Sequence, residues 1–447
     1  MSLSFKIWRK EAGETITLAA PLIVAQLLQA GMGFIDTVMA GQLGARDLAA
    51  VGLGAALWGL VLLACVGATM AISPLVAHLH GGGRDQEVAG EFQQGLWVAL
   101  LVGILAVPAT WYIALLIPWM NVAADVAELA TDYLHTIAWG MPGLCLYLAP
   151  RYLFEGLGNT KPVMLVQFVL LPLNILGNYI FMYGNFGMPA LGAQGAALST
   201  AIGLWSGALM MFIFAAVFSR FRTLNLFHSP QPPSLSEMAK ILKLGLPIAV
   251  AIVMEVGMFT AIALLMGSLG KVEMAAHQIA LNYASLMFMM PLGIAQAITI
   301  RVGHAAGAGN YALARTRGWV GISMAGMIML CSATFLLLFP ERVVSLYTSD
   351  PDVATMAMTL LFAAALFQFS DGLQVSASGA LRGLKDTTLP MIITIISYWL
   401  IGFPAARYLG MELGLGPQGL WGGLLVGLTI AALLLNLRFF LLSRRYA

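Results

Sequence analysis

Charge is scarce in this chain. Only 9% of its 447 residues are Asp, Glu, Lys or Arg, against about 25% in a soluble domain. A globule of this size cannot be clothed in polar surface from so small a supply, which excludes an ordinary soluble protein. The net charge of +2 is too small to suggest nucleic acid as a partner. Cysteine is also scarce. Cys65, Cys145 and Cys331 each lie in an apolar run. Their spacing offers neither a disulfide framework nor a metal site, and all three read as buried thiols. Strand-like alternation over about ten residues is missing, which disfavours a β-barrel. HExxH, GxSxG and a Walker motif are missing too, which disfavours a zinc protease, a serine hydrolase and ATP-driven transport within this chain. No secretory signal stands out. The first apolar stretch is long enough to span a bilayer and lacks a convincing cleavage site, so it is read as retained.

What remains is apolar: 60% of residues are hydrophobic. Each membrane crossing must satisfy its own backbone hydrogen bonds, as a helix does. At about 20 residues per crossing, the chain reads as an all-α polytopic membrane protein with twelve spans. They fall near 15–39, 48–78, 91–117, 126–150, 160–184, 191–218, 241–268, 276–304, 313–339, 352–380, 388–409 and 418–443. With this assignment 18 of the 22 Lys and Arg residues lie at the N-terminus, in the even loops or at the C-terminus. The odd loops hold only Arg46, Lys271, Arg342 and Arg407. The positive-inside rule then predicts cytoplasmic termini.

The chain also resembles itself at an offset near 226. LAAPLIVA (18–25) matches LGLPIAVA (244–251), and AGQLGARDLAA (40–50) matches MGSLGKVEMAA (266–276). VAHLHGGG (76–83) matches VGHAAGAG (302–309), EGLGNTKP (155–162) matches RGLKDTTL (382–389), and LGAQG (191–195) matches LGPQG (415–419). Six spans per copy is an even number, so both copies enter the membrane in the same sense, as a parallel repeat. The expected organisation is an N-terminal six-helix lobe over 1–219, a polar linker over 220–240 and a C-terminal six-helix lobe over 241–447.

Most acids fall at helix ends or in loops, where solvation or capping explains them; Glu11, Glu14, Asp47, Asp125 and Asp350 are examples. Asp36, Glu255 and Asp371 do not fit. The stretch IVMEVGMFTAIALLMG (252–267) has Glu255 as its sole acid. An acid at mid-bilayer costs about 2.5–3.5 kcal/mol on insertion scales, and such residues mark cavities, partners or ion pathways. At the repeat offset Asp36 falls on Ile262, Glu255 on Gln29, and Asp371 on Leu144 or Cys145. No acid is duplicated, so the two halves are expected to carry different polar sites. One collects Asp36 with Asn174 and Asn178, which share a helix face four residues apart, and Thr200. The other collects Glu255 and Asp371. A buried carboxylate exchanges protons near neutral pH. Two carboxylates with amide oxygens equally form a hard-oxygen site for Na⁺. Both readings stay open.

Met254, Met258, Phe259, Tyr283, Met287, Phe288 and Met290 crowd spans 7 and 8. Soft thioethers and aromatic faces suit flat cationic ligands, although ordinary helix packing explains each one singly. Gln29 and Gln278 are polar residues within spans, suited either to ligand contact or to an interhelical hydrogen bond. His78 and His304, beside glycine-rich turns, read as structural.

With its twelve spans in two halves, FIDTVMAGQLG (34–44) and the echo MGSLG (266–270), the chain resembles the multidrug and toxic compound extrusion family. Asp36, the NILGN pair Asn174 and Asn178, Glu255 and Asp371 point to its NorM branch. The resemblance implies a V-shaped fold of two pseudo-symmetric lobes around a central cavity. It implies a secondary active exporter, not an enzyme, that exchanges cationic aromatic drugs for Na⁺ or H⁺. The expected setting is the bacterial inner membrane, with a monomer acting in the lipid bilayer without a cofactor beyond the coupling ion. Cation or proton coupling is expected at Asp36, Asn174, Asn178, Glu255 and Asp371, with Glu255 and Asp371 as candidate Na⁺ ligands. Substrate contact is expected at Gln29, Met258, Phe259, Gln278, Tyr283, Met287, Phe288 and Asp371. Two rivals are a lipid-linked saccharide flippase, which should line its cavity with Arg or Lys for pyrophosphate, and an intramembrane aspartyl protease using Asp36 and Asp371. The aspartyl protease needs settings such as GxGD, whereas this chain offers FIDT and FSDG.

Overall fold

The structure, a computed structural model, describes residues 5–120, 122–218 and 224–445. The start of the expected linker, with Arg220 and Arg222, lies outside them. Among the described residues there is helix and no strand. In the first half α1 spans Phe5–Leu43, α2 Ala45–Met70, α3 Ile72–Gly81 and α4 Asp85–Ile113, which runs into a 3₁₀ segment at Ala114–Met120. There follow α5 (Ala124–Ala138), α6 (Met141–Gly156), α7 (Lys161–Phe181) and α8 (Ala193–Val217). The second half holds α9 (Leu235–Leu269), α10 (Lys271–Gly307), α11 (Tyr311–Leu338), the short α12 (Pro340–Ser345) and α13 (Pro351–Gly383). Then come α14 (Thr388–Ile395), wide π turns at Ile396–Gly402, α15 (Phe403–Arg407), further wide turns at Tyr408–Glu412, and α16 (Gly416–Arg445).

Eleven of the described helical stretches are long and apolar enough to cross a membrane. The remaining expected span, 126–150, is the pair α5 and α6, each too short alone. The chain breaks at Trp139 and Gly140 because Pro142 enters at the start of α6 and cannot continue the helix before it. Gly140 is packed so closely on α8 that a Cβ there would lie 2.9 Å from the Ala201 Cα.

The helices sort into two compact units. One comprises Val24–Ala249, the other Met1–Ile23 with Val250–Ala447. The chain therefore changes unit inside α1, between residues 23 and 24, and again inside α9, between residues 249 and 250. These two points are 226 residues apart, the same as the repeat offset. Pro21 and Pro247, also repeat mates, sit just before them inside helices that run on unbroken.

The packing repeats with the sequence. A Cβ on Gly67 would lie 2.3 Å from the Ala249 Cα, and its mate Gly293 meets Ile23, the mate of Ala249, at 2.5 Å from Cγ1. Gly156 abuts Val76 and Ser73, while Gly383 abuts Val302 and Thr299. The ends of α3 and α10 are also alike. Gly83 and Gly309 adopt left-handed φ values of 69° and 73°, and the amides of Arg84 and Asn310 close onto the Leu79 and Ala305 carbonyls at 2.9 Å. A left-handed turn of this kind ends a helix with its last carbonyls satisfied, and glycine adopts it without Cβ strain. His78 and His304 lie in these last turns.

Several sequence expectations need correction. Cys65 and Cys145 are buried, but Cys331 is exposed on the outer face of α11. Glu11 is not solvated. It is buried and ion-paired with Arg301, which also reaches Glu14 at 2.5 Å and the Thr15 hydroxyl at 2.7 Å, while Arg317 approaches Glu11 at 3.2 Å. Arg151 and Arg382, assigned to loops on charge alone, are buried in α6 and α13. Capping does explain Asp47, whose Oδ1 accepts from the Ala193 amide at 2.8 Å, and Asp350, which accepts from Asp352 and Val353.

Candidate functional site

Asp36 sits on α1 in the Val24–Ala249 unit. The Asn178 Nδ2 donates to its Oδ1 at 2.6 Å, and the side chains of Asn174 and Thr200 also lie within hydrogen-bonding reach. Asn174 and Asn178 stand one turn apart on α7, both buried. Thr200 arrives because α7 and α8 pack closely: Gly177 has no side chain, and a Cβ there would lie 2.3 Å from the Ser199 Oγ. Ser199 in turn donates to the Asn174 carbonyl at 3.2 Å. The side-chain oxygens Asn174 Oδ1 and Asn178 Oδ1 are buried and have no hydrogen-bond partner. A carboxylate therefore sits among unfilled oxygen donors.

Glu255 and Asp371 meet in the other unit. Glu255 is half-buried on α9, and Asp371, 4% exposed on α13, is within electrostatic reach of it. Gln374, one turn beyond Asp371, is within hydrogen-bonding reach of Glu255, and the buried Arg382 guanidinium is within electrostatic reach. Tyr398, in the π turns, is within electrostatic reach of both acids. Gln374 Oε1 and Tyr398 Oη are buried without a hydrogen-bond partner.

Close helix packing builds this site. A Cβ on Gly379 would lie 2.4 Å from the Ala295 carbonyl oxygen, and one on Gly372 would lie 2.6 Å from Met329 Cγ, so α13 approaches both α10 and α11 closely. Trp399 Nε1 donates to the Met254 carbonyl at 3.0 Å and ties the π turns to α9 beside Glu255. Wide turns of this kind often mark functional sites. Below the acids Ser332 donates to Gln368 Oε1 at 2.8 Å, and Ser370 pairs with Thr429 at 2.9 Å.

The structure thus brings Asp36 together with Asn174 and Asn178, and Glu255 with Asp371. Of the expected substrate residues, Met258 and Tyr283 are buried in one core cluster, with Phe259 and Met287 packed against it. Phe259 lies edge-on to Phe367 at 5.7 Å. Phe288 is half-buried and Gln278 is exposed. Gln29 is half-buried in the unit that carries Asp36, apart from the others. Sequence reasoning missed Gln374, Arg382 and Tyr398. Gln374 was readable, since it lies three residues from Asp371 on a helix. Tyr398 was not, because only the π turns bring it near the acids.

A duplicated bundle of membrane-length helices, with a different acid cluster in each unit, is the frame of an integral membrane protein. The chain belongs to the MatE family: the family model matches it twice, over residues 21–180 and 247–407, again 226 residues apart. It is 43% identical over 436 residues to a probable multidrug resistance protein NorM of Xanthomonas campestris pv. campestris, covering 97% of this chain and 95% of that one. It is 38% identical over 441 residues to the multidrug resistance protein NorM of Aliivibrio fischeri, covering 98% and 96%. In fold it is similar to the crystal structure of the eukaryotic MATE transporter AtDTX14, with a TM-score of 0.88 at 20% identity and 98% of both chains covered. A crystal structure of MATE in the bent conformation superposes with a TM-score of 0.89 over 97% of this chain and 95% of that one, at 22% identity.

Proposed function

We propose that this protein is a secondary active multidrug exporter, not an enzyme, that exchanges cationic aromatic compounds for Na⁺ or H⁺. It works as a monomer in the bacterial inner membrane with both termini in the cytoplasm, as the sidedness of its Lys and Arg residues indicates. The two lobes of this reading are 1–219 and 241–447, joined by 220–240, with the first 23 residues packed in the second unit. The observation that carries this reading is the pair of buried acid clusters, each ringed by oxygen atoms without partners. Unfilled oxygens around a carboxylate suit a small hard cation or a proton carried on the acid. The named relatives supply the drug substrate.

In this reading a cation enters from outside and is held by Asp36 with Asn174 and Asn178, or by Glu255 and Asp371 as Na⁺ ligands. Neutralising the acid weakens its hold on a cationic drug. Drug contact falls to the Met258, Phe259, Tyr283, Met287 and Phe288 region, with Gln29, Gln278 and Asp371. Inward movement of one charge supplies about 2.3 kcal/mol per 100 mV. The flippase alternative needs free basic groups, yet the buried Arg151 is ion-paired to Glu155 at 2.9 Å, and Arg301 is held by two glutamates.

The test is efflux of a fluorescent cationic dye from proteoliposomes under an imposed Na⁺ gradient or an imposed pH gradient. One gradient should drive efflux and the other should not. Failure of both would overturn the exchange reading.

A further inference from the structure

The Val24–Ala249 unit carries a cavity of about 470 Å³ that has no part in either acid cluster. It lies where α4 passes through the 3₁₀ segment into α5, at the end remote from the basic loops. Its lining includes Trp111, Tyr112 and Ile117 together with Glu128, Thr131 and Asp132. Glu128 and Asp132 are one turn apart on α5 and so share a face.

The indole is held in place. Trp111 Nε1 donates to the His135 carbonyl at 3.0 Å, its ring lies 5.0 Å from the His135 ring, and Trp139 packs edge-on at 6.1 Å. The nearby Asp125 is ion-paired with Arg46 at 3.5 Å. Among the described residues neither Glu128 nor Asp132 forms an ion pair.

The duplication provides an internal control. At the repeat offset of 226–227, Trp111 falls on Leu337 or Leu338, Glu128 on Ala354 or Thr355, and Asp132 on Met358 or Thr359. The same corner of the second half closes over an apolar core that includes Val343, Val344 and Leu361. The architecture therefore requires neither the indole nor the acids. An interfacial belt accounts for exposed indoles such as Trp119 and Trp139, whereas the exposed Glu128 and the half-buried Asp132 line the same hollow as Trp111.

We propose that this cavity is a peripheral binding site for an amphipathic organic cation. Its apolar or aromatic body would lie on Trp111 and Tyr112, and its positive charge would face Glu128 and Asp132. Aromatic faces attract such cations, and the carboxylates add a charge preference that a purely apolar hollow lacks. The proposal does not rest on the transport reading above, since it concerns binding alone.

The test places one cysteine in the cavity by Thr131→Cys, in a Cys331→Ser background that removes the exposed native thiol. The full chain is reconstituted in vesicles of phosphatidylglycerol, with and without phosphatidylethanolamine. Mixed-disulfide formation with a cationic methanethiosulfonate, in which the thiolate displaces methanesulfinate, should be at least threefold faster than with an anionic one. Tetraphenylphosphonium should slow it at least threefold, and neutral triphenylphosphine oxide should not. Adding Glu128→Gln and Asp132→Asn should erase both the charge preference and the protection, while Glu128→Asp should retain them. Equal rates for the two reagents, or equal protection by the neutral compound, would overturn the proposal. Protection that follows phosphatidylethanolamine and ignores tetraphenylphosphonium would overturn it too, because the occupant would then be a lipid headgroup.

Discussion

The two acid clusters handle the same problem in different ways. Asp36 stands alone and receives a short hydrogen bond from Asn178. Glu255 and Asp371 lie within electrostatic reach of each other, with Gln374 within hydrogen-bonding reach of Glu255 and Arg382 within electrostatic reach of it. One site holds a single carboxyl and the other holds two, so the duplicated frame carries a different arrangement of acids in each unit. Arg301 shows a third solution, a buried charge whose partners Glu11, Glu14 and Thr15 are all supplied by the start of α1.

The largest effect is expected where pairing is most complete. Arg301→Met leaves the buried Glu11 with only the Arg317 contact and should cost about 3–5 kcal/mol of stability. Thermal unfolding in detergent reads this, and adding Glu11→Met should restore much of the loss. An Arg301→Met protein as stable as the parent would remove this third solution from the comparison.

Next come Glu255 and Asp371. Asp371→Asn and Glu255→Gln should each lower coupled dye efflux at least tenfold, about 1.4 kcal/mol, without loss of thermal stability, because an amide is cheaper to bury than a carboxylate. Full efflux in both variants would break the coupling role of this cluster.

Asn178→Ala deprives Asp36 of its donor and should destabilise by about 1–3 kcal/mol. Asp36→Asn should cost less than half of that, since an amide oxygen still accepts from Asn178, yet it should alter drug efflux. Equal destabilisation by the two changes would show that the hydrogen bond, not the charge, is what the site maintains.

The smallest effect concerns the shared frame. Gly67→Ala pushes a methyl into the Ala249 backbone and should cost about 1–3 kcal/mol, whereas Gly293→Ala meets chiefly the Ile23 side chain, which can turn aside. Unfolding midpoints should rank Gly67→Ala below Gly293→Ala. The reverse order would mean that the two helix exchanges, though repeat-related, are not packed equivalently.

Much of this was legible in the chain itself. The dearth of charge and the length of the apolar runs leave only a helical membrane bundle, because every backbone group in lipid must be satisfied locally. The repeat offset of 226 showed in five aligned segments and recurs in the packing of Gly67 and Gly293. Asp36, Glu255 and Asp371 stood out because an acid in an apolar run carries an energetic cost that needs a reason. The sequence also paired Asn174 with Asn178 through helical spacing alone.

Other features lay beyond local pattern. Glu11 looked like a terminal, solvated acid, and only the packing of the start of α1 against α10 made it a buried partner of Arg301. Arg151 and Arg382 looked like loop charges, because hydropathy cannot say how far a helix runs past the membrane edge. Tyr398 reached the acids through π turns that no periodicity announces. The change of unit within α1 and α9 was not readable from hydropathy, since both helices are continuous there and only Pro21 and Pro247 stand near it. Local sequence determined which segments are helices and which residues are costly there. Contacts between residues hundreds of positions apart decided who shares that cost, because burial and pairing belong to neighbours in space.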